Sequence, residues 1–219
     1  MTQDLFADDE PALADEPLSE GAVVLRGFAR ARADELARGL ALVSAAAPFR
    51  HLVTPGGFTM SVAMTNCGPL GWVSDRRGYR YDPIDPESGR PWPPMPESFR
   101  ALAREAAARA GYAAFEPDAC LVNRYVPGAR LSMHQDRDEK DLRAPIVSVS
   151  LGLPAVFAWG GDARADKALR VPLRHGDVVV WGGPSRLRYH GVPALKEGEH
   201  PFAGGVRINL TFRKVRASA

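Results

Sequence analysis

Six short apolar segments follow one another between residues 119 and 215, and each is bounded by glycine, proline or aspartate. They read ACLVNRYVPG, PIVSVSLGL, AVFAWGG, KALRVPL, HGDVVVWGG and GVRINLTFRKV. Regularly spaced segments of this kind, separated by turn residues, are typical of antiparallel strands in a sandwich or barrel. The chain also contains 21 glycines and 19 prolines, which argues against a helical bundle or coiled coil. We therefore expect an antiparallel barrel over the C-terminal part of the chain.

Two helices are predicted before these strands. Residues 34–47 place apolar side chains on one face at helical spacing, and Pro48 stops the helix. Residues 97–110 carry a second apolar stripe and end before Gly111. A short apolar strand over residues 21–28 precedes both helices. The predicted fold class is α+β, with two N-terminal helices packed against the barrel.

Charge and composition divide the chain into a tail and one domain. With 219 residues, of which 45% are hydrophobic and 25% charged, the chain has the length and balance of a single globular domain. Residues 1–20 contain seven acids and no lysine or arginine, so we predict an acidic flexible tail there and a domain over 21–219. Residues 51–95 are rich in glycine, proline and aromatic residues, and are predicted to form short hairpins and loops rather than core.

The same features bear on location and partners. No segment approaches the roughly 20 apolar residues that cross a bilayer, and the acidic N-terminus lacks a secretory pattern. Cys67 and Cys120 are expected to be free thiols in a reducing compartment. We therefore expect a cytoplasmic protein with no membrane partner. All 28 lysines and arginines, but only 19 of the 26 acids, lie outside residues 1–20, which suits either a polyanionic partner or an ordinary solvated surface.

A candidate metal site is formed by two histidines and one aspartate. His134 and Asp136 lie two residues apart in LSMHQDRD, so an extended backbone would place both side chains on one face. His190 follows the VVVW segment. Two imidazoles and one carboxylate leave other coordination positions free, which suits non-haem Fe(II) chemistry with oxygen. A surface hydrogen-bonding pair is the alternative interpretation of an H-x-D motif taken alone.

The last strand supports an enclosed anion site. In RINLTFR the polar residues share one face and the apolar residues share the other, so the apolar face should pack on the helices and the polar face should point into the barrel. Enclosed guanidinium groups need an anion, since an unpaired buried charge is costly. With a metal nearby, a dicarboxylate cosubstrate fits this arrangement. Arg207 and Arg213 lie roughly 20 Å apart along a strand, so one of them is expected to serve the metal-proximal carboxylate.

The blocks TPGGFTMSVAMTNCGPLGW, NRYVPGARLSMHQDRDE, APIVSVSLGLPA, HGDVVVWGG, YHG and RINLTFR carry a family resemblance. Together they resemble the bacterial AlkB family of Fe(II)- and 2-oxoglutarate-dependent dioxygenases that repair alkylated DNA. The resemblance implies a double-stranded β-helix (jelly-roll) core over residues 119–215 and a nucleotide-recognition lid over about 48–95. It implies iron on His134, Asp136 and His190, and 2-oxoglutarate held by Asn123, Tyr125, Arg207, Asn209 and Arg213.

The resemblance also implies a reaction. Alkylated bases such as N1-methyladenine and N3-methylcytosine would be dealkylated by Fe(II), 2-oxoglutarate and O2, with release of formaldehyde, succinate and CO2. The expected substrate is DNA, mainly single-stranded but also double-stranded, with RNA as a further candidate, and the expected enzyme is a monomer. An extruded base would stack on aromatic side chains beside a carboxylate that favours its positive charge. The expected substrate residues are Thr54, Met64, Trp72, Tyr79, Tyr81, Asp138 and Arg164.

Several alternatives stay open from the sequence. The aromatic residues of the lid could be local packing residues, and Asp138 could be a solvated acid in a charge run. Two departures from the family pattern, GYRYDPID and VFAWG, lie near the expected substrate side and concern fine specificity. The same oxygenase chemistry could act on modified RNA or protein, or the chain could be a non-catalytic nucleic-acid-binding barrel.

Overall fold

Two antiparallel sheets and a separate hairpin form the body of the protein. The computed structural model describes residues 14–217. The strands are β1 (Glu16–Ser19), β2 (Ala22–Leu25), β3 (Arg50–Val53), β4 (Thr59–Cys67), β5 (Gly71–Asp75), β6 (Gly78–Asp82), β7 (Ala119–Tyr125), β8 (Leu131–His134), β9 (Ile146–Gly152), β10 (Ala155–Trp159), β11 (Leu169–Leu173), β12 (Val178–Trp181), β13 (His190–Val192) and β14 (Arg207–Arg213), and the helices are α1 (Ala33–Ala46) and α2 (Glu97–Arg109).

The strand orders are those of a jelly roll closed around a polar interior. The large sheet has the order β1-β2-β12-β9-β14-β7-β4-β3, and the small sheet has the order β11-β10-β13-β8. Strand β14 lies in the middle of the large sheet, between β9 and β7. Strands β5 and β6 pair only with each other and form the 71–82 hairpin. The predicted α+β class and jelly-roll architecture are confirmed.

Both helices pack on the outer face of the large sheet. Phe99 and Leu102 of α2 are fully buried in one cluster with Leu210 and Phe212 of β14. The rings of Phe99 and Phe212 meet edge to face, with centroids 6.1 Å apart. Burial of each such side chain contributes about 1.5–3 kcal/mol. Because this packing uses the apolar face of β14, the opposite face of the strand is directed into the barrel, as predicted.

The predicted helices are correct to within one residue at each end. Helix α1 ends at Ala46 because Ala47 is extended, as a residue before proline prefers. No helix among residues 14–217 is long and apolar enough to cross a membrane.

The predicted tail boundary is wrong for residues 16–19. Strand β1 pairs with β2, and the Glu16 carboxylate binds the Arg26 guanidinium. These contacts order a segment whose acidic composition suggested a loose chain. Residues 1–13 of the predicted tail lie outside the described residues.

The prediction of hairpins and loops for residues 51–95 is wrong in part. Strand β4 is not a peripheral hairpin, since it pairs with β7 in the large sheet. Val62 and Cys67 are fully buried, and Cys67 lies in the core cluster beneath the helices. The reason is that the last six residues of β4 are buried on both faces, so their sequence lacks the alternation that marks a half-exposed strand. The 71–82 hairpin is the part of this region that stands apart from the sheets.

Candidate active site

Strand pairing brings the candidate metal ligands together. His134 ends β8 and His190 begins β13, and the two residues are direct partners across the small sheet. Asp136 lies two residues beyond the end of β8, and the ligand atoms of all three residues lie within 4.8 Å of one another. The Nδ1 atoms of His134 and His190 lie 2.8 and 3.0 Å from backbone carbonyl oxygens. These bonds place the proton on Nδ1 and leave both Nε2 atoms free toward Asp136, as metal binding requires.

The electrostatics of the triad suit a metal at neutral pH. His190 is buried against aromatic rings, with its centroid 5.0 Å from that of Trp181. Burial, together with the neighbouring His134, lowers the pKa of His190 to about 4, so its imidazole is neutral and able to bind a metal. Burial would raise the pKa of Asp136, but Arg213 and the two imidazoles outweigh it, and the pKa lies well below its usual range. Asp136 therefore offers an anionic carboxylate to a metal.

The low pKa of His190 leads to a testable pH dependence of the metal-free protein. Between about pH 6.5 and pH 4 the unfolded chain binds a proton at this residue and the folded chain does not, so stability falls as the pH falls. The loss approaches about 3 kcal/mol below this window. His190→Gln is expected to flatten this part of the pH profile of the free energy of unfolding, measured by urea denaturation. The exposed His51→Gln is the control, and a His190→Gln profile as steep as that of the control would contradict the assignment.

A second group of polar side chains lines the interior beside the triad. In the β14–β7 register, Arg207 lies opposite Tyr125 and Asn209 lies opposite Asn123. The Arg207 guanidinium carbon lies 4.9 Å from the centroid of the Tyr125 ring, and its Nη2 donates to Ser150 Oγ at 3.0 Å. Asn123 donates to Asn209 at 3.3 Å. All five predicted 2-oxoglutarate residues are thus placed on one interior wall, on β7 and β14.

The two arginines of this wall have different partners. Arg213 donates from Nη2 to Asp136 Oδ2 at 2.9 Å, next to the metal ligands. Arg207 has no carboxylate partner within residues 14–217, and its buried Nε and Nη1 atoms have no hydrogen-bond acceptor there. Burial lowers the pKa of Arg207, which reflects a charge without an anion. A dicarboxylate that reached from the triad to Arg207 would supply the missing acceptors. The residues present therefore fit both iron and 2-oxoglutarate.

The 71–82 hairpin carries the aromatic residues predicted to meet a base. The rings of Trp72 and Tyr79 are stacked, with centroids 5.5 Å apart and planes 13° apart. Trp72 Nε1 donates to Asp138 Oδ2 at 2.9 Å, so three of the predicted substrate residues form one group. Tyr81 pairs with Trp72 across the hairpin, but its hydroxyl donates to Glu139 Oε1 at 2.5 Å. Because Tyr81 also packs against Leu70 and other core residues, local packing is part of its role.

The other three predicted substrate residues differ in whether their contacts bring them to the interior wall or the triad. Met64 pairs with Asn123 and is buried beside the interior wall. The Arg164 guanidinium binds the backbone carbonyl of Met133, next to His134. Thr54 accepts a hydrogen bond from the Phe58 backbone in the turn between β3 and β4, and no contact in the described chain joins it to the triad.

The two departures from the family pattern have structural explanations. Arg80, between the tyrosines of the hairpin, donates to Asp75 of the same hairpin at 2.9 and 3.0 Å. Trp159, in VFAWG, is buried with its ring centroid 6.4 Å from that of His190. The charge of Arg80 is therefore neutralised within the hairpin. Trp159 forms part of the aromatic packing around the candidate metal ligand His190.

Two buried charged residues beside the triad, Glu139 and Arg186, are not predictable from the sequence. Glu139 lies in a run of charges that resembles a solvated surface, and Arg186 is one of several arginines near His190. Both are buried, and Arg186 donates from Nη2 to Glu139 Oε2 at 3.0 Å. Only the three-dimensional contacts identify them.

Comparison with known proteins agrees with this geometry. A model of the 2OG-Fe(II) oxygenase superfamily matches residues 21–213. Alpha-ketoglutarate-dependent dioxygenase AlkB of Escherichia coli (strain K12) is 62% identical over 96% of this chain and 97% of its own length. The tRNA demethylase abh1 of Schizosaccharomyces pombe is 35% identical over 48% of this chain and 38% of its own.

A solved structure, that of OsALKBH1, superposes with a TM-score of 0.80 and 31% identity, covering 92% of this chain and all of that one. Alpha-ketoglutarate is 2-oxoglutarate, the dicarboxylate that the interior wall fits. The family match, the similarity to the bacterial enzyme and the shared jelly roll agree with the triad and the arginine wall. The chain belongs to the 2OG-Fe(II) oxygenase superfamily and, within it, to the bacterial AlkB family.

Proposed function

We propose that this protein repairs alkylated nucleobases in DNA by oxidative dealkylation. The observation that carries the proposal is the hydrogen bond from Trp72, on the 71–82 hairpin, to Asp138, which lies two residues after Asp136 in the segment that follows the candidate ligand pair. A base that stacks there lies close to the metal site. The similarity to AlkB of E. coli supports the same activity. In the net reaction the N-methyl carbon leaves as formaldehyde, while 2-oxoglutarate and O2 become succinate and CO2.

The residues of this chain have separate tasks in that reaction. Bound Fe(II) supplies the reactivity of O2 toward a C–H bond. His134, Asp136 and His190 would hold the metal, and three protein ligands would keep other coordination positions available for cosubstrate and oxygen. Arg207 orients the far carboxylate of 2-oxoglutarate, and Arg213 lies at the metal end. This fixed arrangement keeps the cosubstrate and the alkylated base in positions where they can react, and it limits access of water.

The hairpin selects the base. Methylation of N1 of adenine or N3 of cytosine blocks the pairing edge and gives the base a positive charge. Such a base pairs poorly, so its extrusion from a duplex costs less than that of an intact base. The Trp72 ring offers a face for stacking and cation–π attraction of about 0.5–2 kcal/mol. The Asp138 carboxylate is exposed, so its attraction for the cation is screened by solvent and is the smaller effect.

Asp138→Asn tests the contribution of this charge. Asparagine keeps an oxygen that accepts the Trp72 N–H, so the change removes charge and conserves the contact. We expect kcat/KM to fall about 2- to 5-fold more for N3-methylcytosine than for a neutral etheno adduct in the same single-stranded oligonucleotide. Glu105→Gln, an exposed acid on α2, is the control for a general change in protein charge. Equal losses on both lesions would exclude charge selection by Asp138.

The groove beside the hairpin bears on which type of nucleic acid presents the base. A surface groove beside the hairpin is lined in part by Tyr79, Asp138, Lys140 and Arg216, and the cations Lys140 and Arg216 suit a phosphate backbone. We propose single-stranded DNA as the main substrate, with double-stranded DNA and RNA as further ones, for a monomeric cytoplasmic protein whose region 48–95 contains the recognition lid. The two cysteines, free and buried, agree with a reducing compartment.

Two measurements test the proposed function. Fe(II) and 2-oxoglutarate, mixed with the protein without oxygen, are expected to produce a metal-to-ligand charge-transfer absorption. With oxygen, formaldehyde should form from methylated single-stranded DNA at a higher rate than from the matched duplex or RNA. A non-catalytic nucleic-acid-binding barrel would show neither signal. Absorption with 2-oxoglutarate turnover stimulated by a modified protein, and not by oligonucleotides, would show an oxygenase with another substrate.

A further inference from the structure

The buried carboxylate of Glu139 is not used by the reaction described above. Its side chain is 2% exposed and makes three polar contacts. Oε1 accepts a hydrogen bond from the Tyr81 hydroxyl at 2.5 Å and lies 3.2 Å from Arg213 Nε. Oε2 accepts from Arg186 Nη2 at 3.0 Å. A buried charge with this many partners fixes the relative positions of the groups it joins.

Two of these partners also hold the metal ligand Asp136. Arg213 donates to the Asp136 carboxylate at 2.9 Å, and Arg186 Nη1 donates to its backbone carbonyl at 2.6 Å. Glu139 thus holds both guanidinium groups that fix Asp136, one at its side chain and one at its backbone. The charges of these four side chains balance, because the group contains two carboxylates and two guanidinium groups.

The third partner belongs to the 71–82 hairpin. Tyr81 lies directly opposite Trp72, and Trp72 is itself bonded to Asp138, the residue before Glu139. Two consecutive acids therefore hold two opposed aromatic residues of the hairpin. A continuous set of hydrogen bonds and ion pairs runs from the hairpin, through Tyr81, Glu139 and Arg213, to Asp136.

We propose that Glu139 is a positioning residue that couples the 71–82 hairpin to the metal triad. Because the Glu139 carboxylate also binds Arg213, it fixes the position from which that guanidinium meets Asp136 and so holds the Asp136 carboxylate in one orientation as a ligand. Loss of its charge would let Arg213 pair with Asp136 alone and would leave Arg186 buried without a carboxylate. A hairpin displaced by a bound base would change the same contacts. The inference rests on the proposed function, because it takes the triad as the iron site and the hairpin as the base site.

Tyr81→Phe tests the coupling without touching a metal ligand or an arginine. The change removes one hydroxyl, and we expect the apparent Kd for Fe(II), titrated with 2-oxoglutarate in the absence of oxygen, to rise at least about 5-fold. The readout is the charge-transfer absorption. Tyr112→Phe is the matched control, since its hydroxyl donates to the backbone of Gly21 at 2.9 Å, away from the triad. We expect the control to lose stability without a change in Kd. Equal Kd values for the two variants would overturn the coupling.

Glu139→Gln gives a second, independent result. Glutamine keeps an acceptor but loses the charge, and we expect the Kd for Fe(II) to rise about 10-fold or more in protein shown to be folded by circular dichroism. In the double variant the effect of Tyr81→Phe should shrink, because both changes interrupt one connection. If the two effects multiply as independent changes, the coupling is wrong.

The outcomes separate this inference from the proposed function. Wild-type protein that shows no charge-transfer absorption would remove the iron site itself. Wild-type protein that binds iron and demethylates DNA, with Tyr81→Phe identical to the Tyr112→Phe control, would remove only the coupling.

Discussion

Replacement of Asp136 by asparagine is expected to lower Fe(II)-dependent turnover of 2-oxoglutarate more than about 100-fold. Loss of a residue that only hydrogen-bonds to a metal ligand commonly lowers metal affinity or activity 10- to 100-fold, and loss of a ligand should cost more. Asp136 is the anionic member of the triad, and the pKa of its carboxyl lies well below its usual range because of Arg213 and the two imidazoles. Asparagine conserves the shape and removes this charge. The measurements are succinate formation and bound iron, with circular dichroism as the test of folding.

The control for this experiment is an acid of similar chemistry outside the site. Glu116 is half-exposed and pairs with Arg104 on the helix side of the molecule. Glu116→Gln should keep wild-type turnover and iron content. If Asp136→Asn kept turnover within a few-fold of the wild type at low Fe(II), the triad would not be the iron site.

The strands and helices were predictable where one face is apolar. The polar–apolar alternation of β14 indicated both its strand structure and its two environments, and the stripes of α1 and α2 indicated the helices. Strand β4 was missed because burial on both faces removes the alternation. Strands β8 and β13 have only four and three residues, too few for a pattern, although they carry His134 and His190. Their pairing is a long-range property of the fold.

The site was predictable in its residue types and incompletely in its contacts. H-x-D, a later histidine and two arginines on one strand face indicate a metal with a dicarboxylate even without the family resemblance. The division of labour between Arg207 and Arg213 depends on which of them meets Asp136, and only the structure shows that contact. Glu139 could not be identified from the sequence, because it lies in a run of charged residues that resembles an exposed surface. Its carboxylate is buried because Tyr81, Arg186 and Arg213, which are distant in the sequence, contact it in the fold.

Replacement of Arg207 by methionine is expected to raise the KM for 2-oxoglutarate about 10- to 100-fold with little loss of kcat. A hydrogen bond to a charged group is worth about 1.5–3 kcal/mol, and Arg207 is the buried cation whose Nε and Nη1 atoms have no acceptor among residues 14–217. Methionine fills much of the same volume without charge. A buried charge without an anion costs free energy, and this gain offsets the loss of the Ser150 hydrogen bond and the Tyr125 ring contact, so the metal-free variant should unfold at a Tm close to or above that of the wild type.

Arg213→Met is the informative comparison, because it removes the same type of side chain from the same strand face. Arg213 holds Asp136 and lies beside Glu139, so its loss should lower kcat and raise the Kd for Fe(II), as well as lower the Tm. Arg207→Lys should recover part of the lost affinity for 2-oxoglutarate, since an ammonium keeps the charge but not the planar pair of donors. If Arg213→Met raised only the KM for 2-oxoglutarate and Arg207→Met impaired iron binding, the assignment of the far carboxylate to Arg207 would be reversed.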